Sequence, residues 1–97
     1  MVKKEIVLFG NGQMAETAHV YIEHDSPFTV VAFCVDKERI ASDTYRGLPL
    51  VAFEEVTQPY PPERYDMFVP MSAKASSTQR EAKFYATKAM GYKLVSY

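Results

Sequence analysis

Gly10-Asn11-Gly12-Gln13-Met14-Ala15 follows directly on the apolar run Ile6-Val7-Leu8-Phe9 and leads directly into a helical pattern. The six residues fit G-x-G-x-x-G/A, and the pattern gains weight from its place between a strand and a helix. The chemistry it suits is anion binding. Gly10 permits a tight turn, Gly12 lets an anion approach the backbone with no Cβ in the way, and Ala15 lets the helix pack close to the sheet. The N–H groups of the first helical turn then face the ligand, with the helix dipole behind them. Asn11, Gln13 and Met14 enter the candidate nucleotide-binding set by their position in this loop. The competing reading is a pair of glycines that only turn a strand into a helix.

Asp36 ends the second apolar run, beside the glycine loop in the expected topology. A carboxylate there accepts hydrogen bonds from ribose hydroxyls, and a helix cap or turn residue leaves the same mark in a sequence. Lys37 joins the candidate set as a phosphate contact, against a solvated lysine. Ser72 and Ala73 follow the fourth strand, where the strand order is expected to reverse and where open α/β sheets bind ligands. An ordinary connecting loop is the alternative there. His19 and His24 lie five apart, a spacing that does not bring both to one metal, and both are expected at the surface. No Cys/His cluster suggests zinc, and no G-x-S-x-G, P-loop lysine or paired-carboxylate pattern occurs. No catalytic residue and no metal ligand is therefore assigned. Cys34, inside an apolar run, reads as a reduced and buried thiol.

These residues need a scaffold, and the hydrophobic pattern supplies one. The continuous run at 6–9 implies a strand covered on both faces. Met14, Ala15, Ala18, Tyr21 and Ile22 recur at helical spacing, giving a helix over 13–24 that Asp25-Ser26-Pro27 closes. Phe28 to Val35 is a second buried strand, which completes a βαβ unit. Lys37 to Asp43 reads as a loop or one helical turn. Tyr45-Arg46-Gly47 turns into a short third strand through Val51, with Pro49 at its start or edge. Phe53 to Val56 forms a short helix. Thr57 to Glu63, with Pro59, Pro61 and Pro62, is expected as extended loop. Asp66 to Met71 is a fourth strand, and Ser72 to Ser77 a loop. Ser76 with Gln79, or Thr78 with Glu81, caps the last helix. Its buried stripe is expected at Ala82, Tyr85, Ala86, Ala89 and Met90, and Gly91 stops it. The scattered tyrosines 60, 65, 85, 92 and 97 are read as packing. Tyr92 to Tyr97 is a fifth strand, and the expected class is α/β, a Rossmann-like, mostly parallel sheet in the order 3-2-1-4-5 flanked by helices.

Composition bounds the function. The chain has 97 residues, enough for one domain. With 11 basic and 12 acidic side chains, no general attraction for nucleic acid or anionic membrane exists. No run of about 18 apolar residues spans a bilayer, and the start lacks the pattern of a signal peptide. A cytoplasmic protein is expected. The abrupt end on a strand suggests a fragment of a longer protein.

Lys4 to Gly12, then Val35-Asp36, then Gly47-Leu48-Pro49-Leu50-Val51, then Gly91 to Tyr97 resemble the N-terminal domain of bacterial sugar acyltransferases, the sialic-acid O-acetyltransferase-like and nucleotide-amino-sugar N-acetyltransferase-like enzymes. The resemblance covers essentially the whole chain. It implies a domain that binds a nucleotide-sugar acceptor in bacterial surface-polysaccharide biosynthesis. It implies further a C-terminal left-handed parallel β-helix, absent from this chain, which forms a homotrimer, binds acetyl-CoA and carries a catalytic histidine. This segment would then hold no cofactor and no catalytic base, and alone it could be monomeric. Gly10, Gly12 and Ala15 match the family's glycine loop, and Asp36 matches its acidic residue after the second strand. Ser72 and Ala73 stand where the family often has a glycine-bearing loop. The family loop continues with Gly and His where this chain has Gln13 and Met14. Two other classes fit the residues: an NAD(P)-binding module of a dehydrogenase, and a non-catalytic regulatory domain.

Overall fold

The computed structural model describes residues 4–10, 12–70 and 77–95. The element order is β1 (Lys4–Phe9), α1 (Gln13–Asp25), β2 (Phe28–Val35), β3 (Thr44–Tyr45), β4 (Leu48–Ala52), β5 (Asp66–Phe68) and α2 (Ser77–Ala89). The chain is α/β. Its five strands form one sheet in the order β3-β4-β2-β1-β5. β1 pairs in parallel with β2 and β5, and β2 in parallel with β4. The hairpin β3–β4 is antiparallel.

Alternation along the strands sorts the side chains onto two faces. Ile6 and Leu8 of β1, with Val30, Phe33 and Val35 of β2, pack against Ala15 and Ile22 of α1. Val7 of β1, Cys34 of β2 and Met67 of β5 form a second core with Phe53, Val56, Val69 and Tyr92, against which Phe84, Ala86 and Met90 of α2 pack. The register of β1 on β2 shifts between Ile6 and Val7, so that Ile6 pairs Val30 and Val7 pairs Ala32. Phe33, fully buried, stands edge-on to His19 at 5.2 Å and to Tyr45 at 4.9 Å. A side chain of this size contributes about 1.5–3 kcal/mol by leaving water.

Several expectations change. The third strand is a hairpin rather than a turn feeding one strand. Arg46 and Gly47 form its two-residue turn at φ +54° and +81°, positive at both central positions as in a type I′ turn. β5 stops at Phe68, short of Met71, which lies outside the described residues. The expected strand at 92–97 is, over the described residues, a single parallel bridge from Leu94 to Met67. The segment 57–63 is a set of tight turns, with Tyr60 N donating to Val56 O and Arg64 N to Pro61 O, rather than extended chain. Proline's fixed φ suits the leading position of such turns as well as it suits extended chain.

The helices also differ in facing. α1 ends one residue later than expected, and its Ile22 carbonyl accepts from the Ser26 hydroxyl at 2.7 Å. Met14 and Tyr21 are 48% and 55% exposed, leaving Ala15, Ala18 and Ile22 as the packed stripe. On α2 the inward face is Lys83, Phe84, Ala86, Thr87 and Met90, while Ala82, Ala89 and Tyr85 face out, Tyr85 being 68% exposed. The shift has a polar cause: the buried Thr87 hydroxyl donates to the Lys83 carbonyl one turn back, and Lys83 is drawn inward by Asp36. Gly91 follows α2 at φ +100°, as expected of its stop.

Candidate functional site

The carboxyl ends of β1 and β2 lie side by side. Gly10, just past β1, donates its N–H to the Cys34 carbonyl of β2 at 2.7 Å. Its φ of +124° is one that side-chain-bearing residues rarely adopt, and a Cβ there would sit 3.2 Å from the Ala15 Cβ. The tight turn and the close helix expected of Gly10 and Ala15 therefore depend on each other. Gly12 differs. Its backbone is extended at φ −112° and ψ −163°, and among the described residues a Cβ would meet nothing within 4 Å. Among the described residues no steric or backbone requirement accounts for glycine at this position.

Gly12 is the N-cap of α1, with no side-chain cap hydrogen bond. Its carbonyl accepts from Glu16 N at 3.0 Å, which starts the helical ladder. The N–H groups of Gln13, Met14 and Ala15 have no acceptor within the helix, as in any first turn. Gln13 and Met14 are exposed, so this turn opens to solvent. Together these groups present donors and a partial positive charge of roughly half a unit to an anion. Asn11, Ser72 and Ala73 lie outside the described residues.

The hairpin braces this turn from the sheet's outer side. The Tyr45 hydroxyl donates to the Gly12 carbonyl at 3.4 Å. Arg46 donates from Nε to His19 Nδ1 at 3.1 Å and places Nη1 3.4 Å from Glu16 Oε1. His19 was expected at the surface, yet its side chain is 15% exposed, between Arg46, Glu23 and the ring of Phe33. Burial and the Arg46 guanidinium together hold its imidazole below the ordinary value, with Glu23 opposing.

Asp36 stands at the end of β2, as expected, but it is engaged. Lys83 Nζ of α2 donates to Asp36 Oδ1 at 2.8 Å. The ammonium also lies 4.6 Å from the ring centre of Phe9 and 4.3 Å from that of Phe53, two rings packed edge-on at 5.4 Å. Attraction of a cation to aromatic faces offsets part of its desolvation. Sequence reading missed Lys83, because no hydrophobic pattern places a lysine inward and its partner Asp36 lies 47 residues away. Lys37 turns elsewhere: its backbone N–H donates to Glu54 Oε1 at 3.1 Å, and its exposed ammonium lies 3.5 Å from Glu55 Oε2. The structure thus brings Gly10, Gly12, Gln13, Met14, Ala15 and Asp36 to one edge, and turns the Lys37 side chain toward Glu55.

Beneath this edge Cys34 is fully buried, and burial raises its thiol far above the ordinary value. Among the described residues, two surface concavities lie away from the glycine turn. One, of about 500 Å³, opens beside Ile40, Leu50 and Pro59, and the other, of about 600 Å³, beside Phe84, Tyr92 and Val95. Among the described residues no helix is long and apolar enough to cross a membrane.

Fold and site define an α/β domain whose carboxyl sheet edge carries a glycine turn, an open helix N-terminus and an acid–lysine pair. No family model matches the chain, and neither a curated protein nor a solved structure matches it.

Proposed function

We propose that this chain is a Rossmann-like domain that binds the phosphates of a nucleotide sugar at Gly10–Ala15, as the acceptor-binding domain of a bacterial sugar acyltransferase acting in the cytoplasm. The observation that carries the binding reading is Gly12. Its backbone would accept any residue and no described residue lies in its Cβ direction, which supports a ligand outside the chain coming close to the glycine. A phosphate is the ligand that an uncapped helix N-terminus suits. Choice of a nucleotide sugar follows the resemblance of the glycine turn, Asp36 and the Gly47–Val51 segment. The β-helix, the trimer and the acetyl-CoA site belong to the proposed longer protein, so this domain positions the acceptor and transfers no acyl group by itself.

A dinucleotide is disfavoured because its site takes two mononucleotide-binding halves, whereas the described residues hold one strand–turn–helix–strand unit ahead of the β3–β4 hairpin. Titration calorimetry of the chain with UDP-, dTDP-, GDP- and CMP-sugars tests the proposal. Binding of one class at millimolar affinity or better, weakened at least tenfold by Gly12→Val, is the expected result. Absence of binding across the panel would overturn it, as would equal binding by the valine variant.

A further inference from the structure

Lys83 of α2 holds its ammonium over the ring of Phe9, the last residue of β1 before the glycine turn. Among the described residues three lysine or arginine side chains pair with a carboxylate: Arg46 with Glu16, Lys37 with Glu55, and Lys83 with Asp36. Arg46 is also bound to His19, and Lys37 is exposed and turned to Glu55. Lys83 alone of the three lies over Phe9, the residue that runs into Gly10.

Its surroundings fix it in place. The side chain is only 20% exposed, with Phe9 and Phe53 beneath the ammonium and Asp36 Oδ1 at 2.8 Å. An ammonium carries three N–H donors. Among the described residues Asp36 is its one hydrogen-bonded acceptor, so two of its donors meet no described acceptor. Asp36 in turn keeps a second oxygen, and its side chain is 35% exposed. The pair therefore offers a donor site and an acceptor site together, the combination that a phosphorylated sugar or ribose presents in reverse.

We propose that Lys83 is a ligand-contacting residue: its ammonium pairs with a phosphate of the bound nucleotide sugar while Asp36 orients that ammonium and accepts a hydroxyl. The inference rests on the glycine turn being a phosphate site. It goes beyond it by assigning charge recognition to α2, an element outside the strand–turn–helix motif. Neutral backbone N–H groups supply only a partial charge, so a diphosphate held by them alone keeps most of its own. Lys83 supplies the full unit.

The test uses inorganic pyrophosphate and the tightest-binding nucleotide sugar of the panel as probes, on the 97-residue chain. Lys83→Met keeps a long stem between the two rings but removes the charge. Because it leaves Asp36 without its partner, Lys83→Met combined with Asp36→Asn is measured beside it, and Lys83→Arg serves as the rescue. Circular dichroism melts establish that each variant folds. The expected result is a tenfold or greater loss of affinity for both probes in the two methionine variants, with Lys83→Arg within about threefold of the native chain. The salt dependence of binding should also shallow by about one counterion when the lysine is lost. If the folded double variant binds both probes as the native chain does, Lys83 only ties α2 to the sheet and the inference fails. In that event a Gly12→Val variant that still loses binding leaves the phosphate reading standing. If the native chain binds no probe, both fall together.

Discussion

An aspartate at position 12 would separate the two things Gly12 can be doing. The backbone there is extended at φ −112° and ψ −163°, with no described residue within 4 Å of a Cβ, so a side chain enters without backbone strain. Position 12 is also the N-cap of α1, and no side chain caps it. A new carboxylate can accept from the N–H of Met14 or Ala15, a gain of a few tenths of a kcal/mol over glycine. Loss of glycine's freedom in the unfolded chain adds about 0.4–1 kcal/mol, and the helix dipole adds a comparable amount. Glu16, one turn on, is the nearest like charge on the helix, but its carboxylate already faces Arg46 at 3.4 Å. Gly12→Asp should therefore stabilise the chain by about 1 kcal/mol, a rise in melting temperature of roughly 5 °C for a domain of this size. The same carboxylate occupies the donors a phosphate needs and repels it. Two lost charge-assisted hydrogen bonds at about 1.5–3 kcal/mol each, partly recovered by solvent, amount to about 3 kcal/mol, on the order of a hundredfold in affinity. Differential scanning calorimetry and nucleotide-sugar titration on the same preparation read both numbers. A variant that is more stable and binds equally well would refute the anion reading and leave the glycines as a turn. A variant that is markedly less stable would refute the backbone argument.

The other perturbations act on stability. Gly10→Ala places a methyl at φ +124° and 3.2 Å from the Ala15 Cβ, and should cost about 1–3 kcal/mol in urea unfolding. Phe33→Ala empties a fully buried site between His19 and Tyr45 and should cost about 3–5 kcal/mol by the same measurement. His19 is held below its ordinary value of 6.5 by burial and Arg46, so the unfolded chain takes up the proton first. Stability should accordingly fall as pH drops below about 6.5 toward the folded value, and His19→Gln should flatten that limb of a pH-dependent melt. Tyr92 is pushed up to about 12, chiefly by burial, and its hydroxyl donates to the Tyr60 carbonyl. The unfolded phenol ionises near 10, so stability should be lost between pH 10 and 12. Tyr92→Phe should remove that alkaline loss and cost about 1 kcal/mol at neutral pH.

The parts of this structure that are legible from sequence are those set by local rules. A continuous apolar run ending in glycine, followed by helical spacing, identifies β1, the turn and α1, and the β-branched run at 28–35 identifies β2. Strand order follows from connection length and the parallel pairing those lengths require. What escapes is set by partners distant in the chain. The hairpin hides because Arg46 takes a left-handed position where Asn or Asp usually signals the turn. Its guanidinium contacts Glu16 and His19, 30 and 27 residues away, and no window of sequence contains both ends. The facing of α2 was misread because alanines and a tyrosine at helical spacing outweigh a lysine on any hydrophobic pattern. Asp36, 47 residues earlier, turns that lysine inward.

That reversal on α2 joins the second core to the edge. The cation is costly to bury, and a charge so placed without a partner would shift α2 outward or lose its proton. Asp36 prevents this only because β2 ends where β1 does, and β1 ends there because Gly10 turns the chain toward α1 with its N–H on Cys34. Phe9 and Phe53 complete the seat from β1 and from the short turn after β4. The glycine turn, the acid and the lysine are therefore parts of one structural unit, each fixed by the strand ends beneath it. A substitution that displaces the end of β1, such as Gly10→Ala, should loosen the Lys83–Asp36 contact as well as the turn. Gly12→Asp, which leaves β1 untouched, should not. Chemical shifts of the Lys83 ammonium and Asp36 carboxyl in the two variants distinguish these outcomes, and an undisturbed pair in Gly10→Ala would mean that the turn and the ion pair are independent.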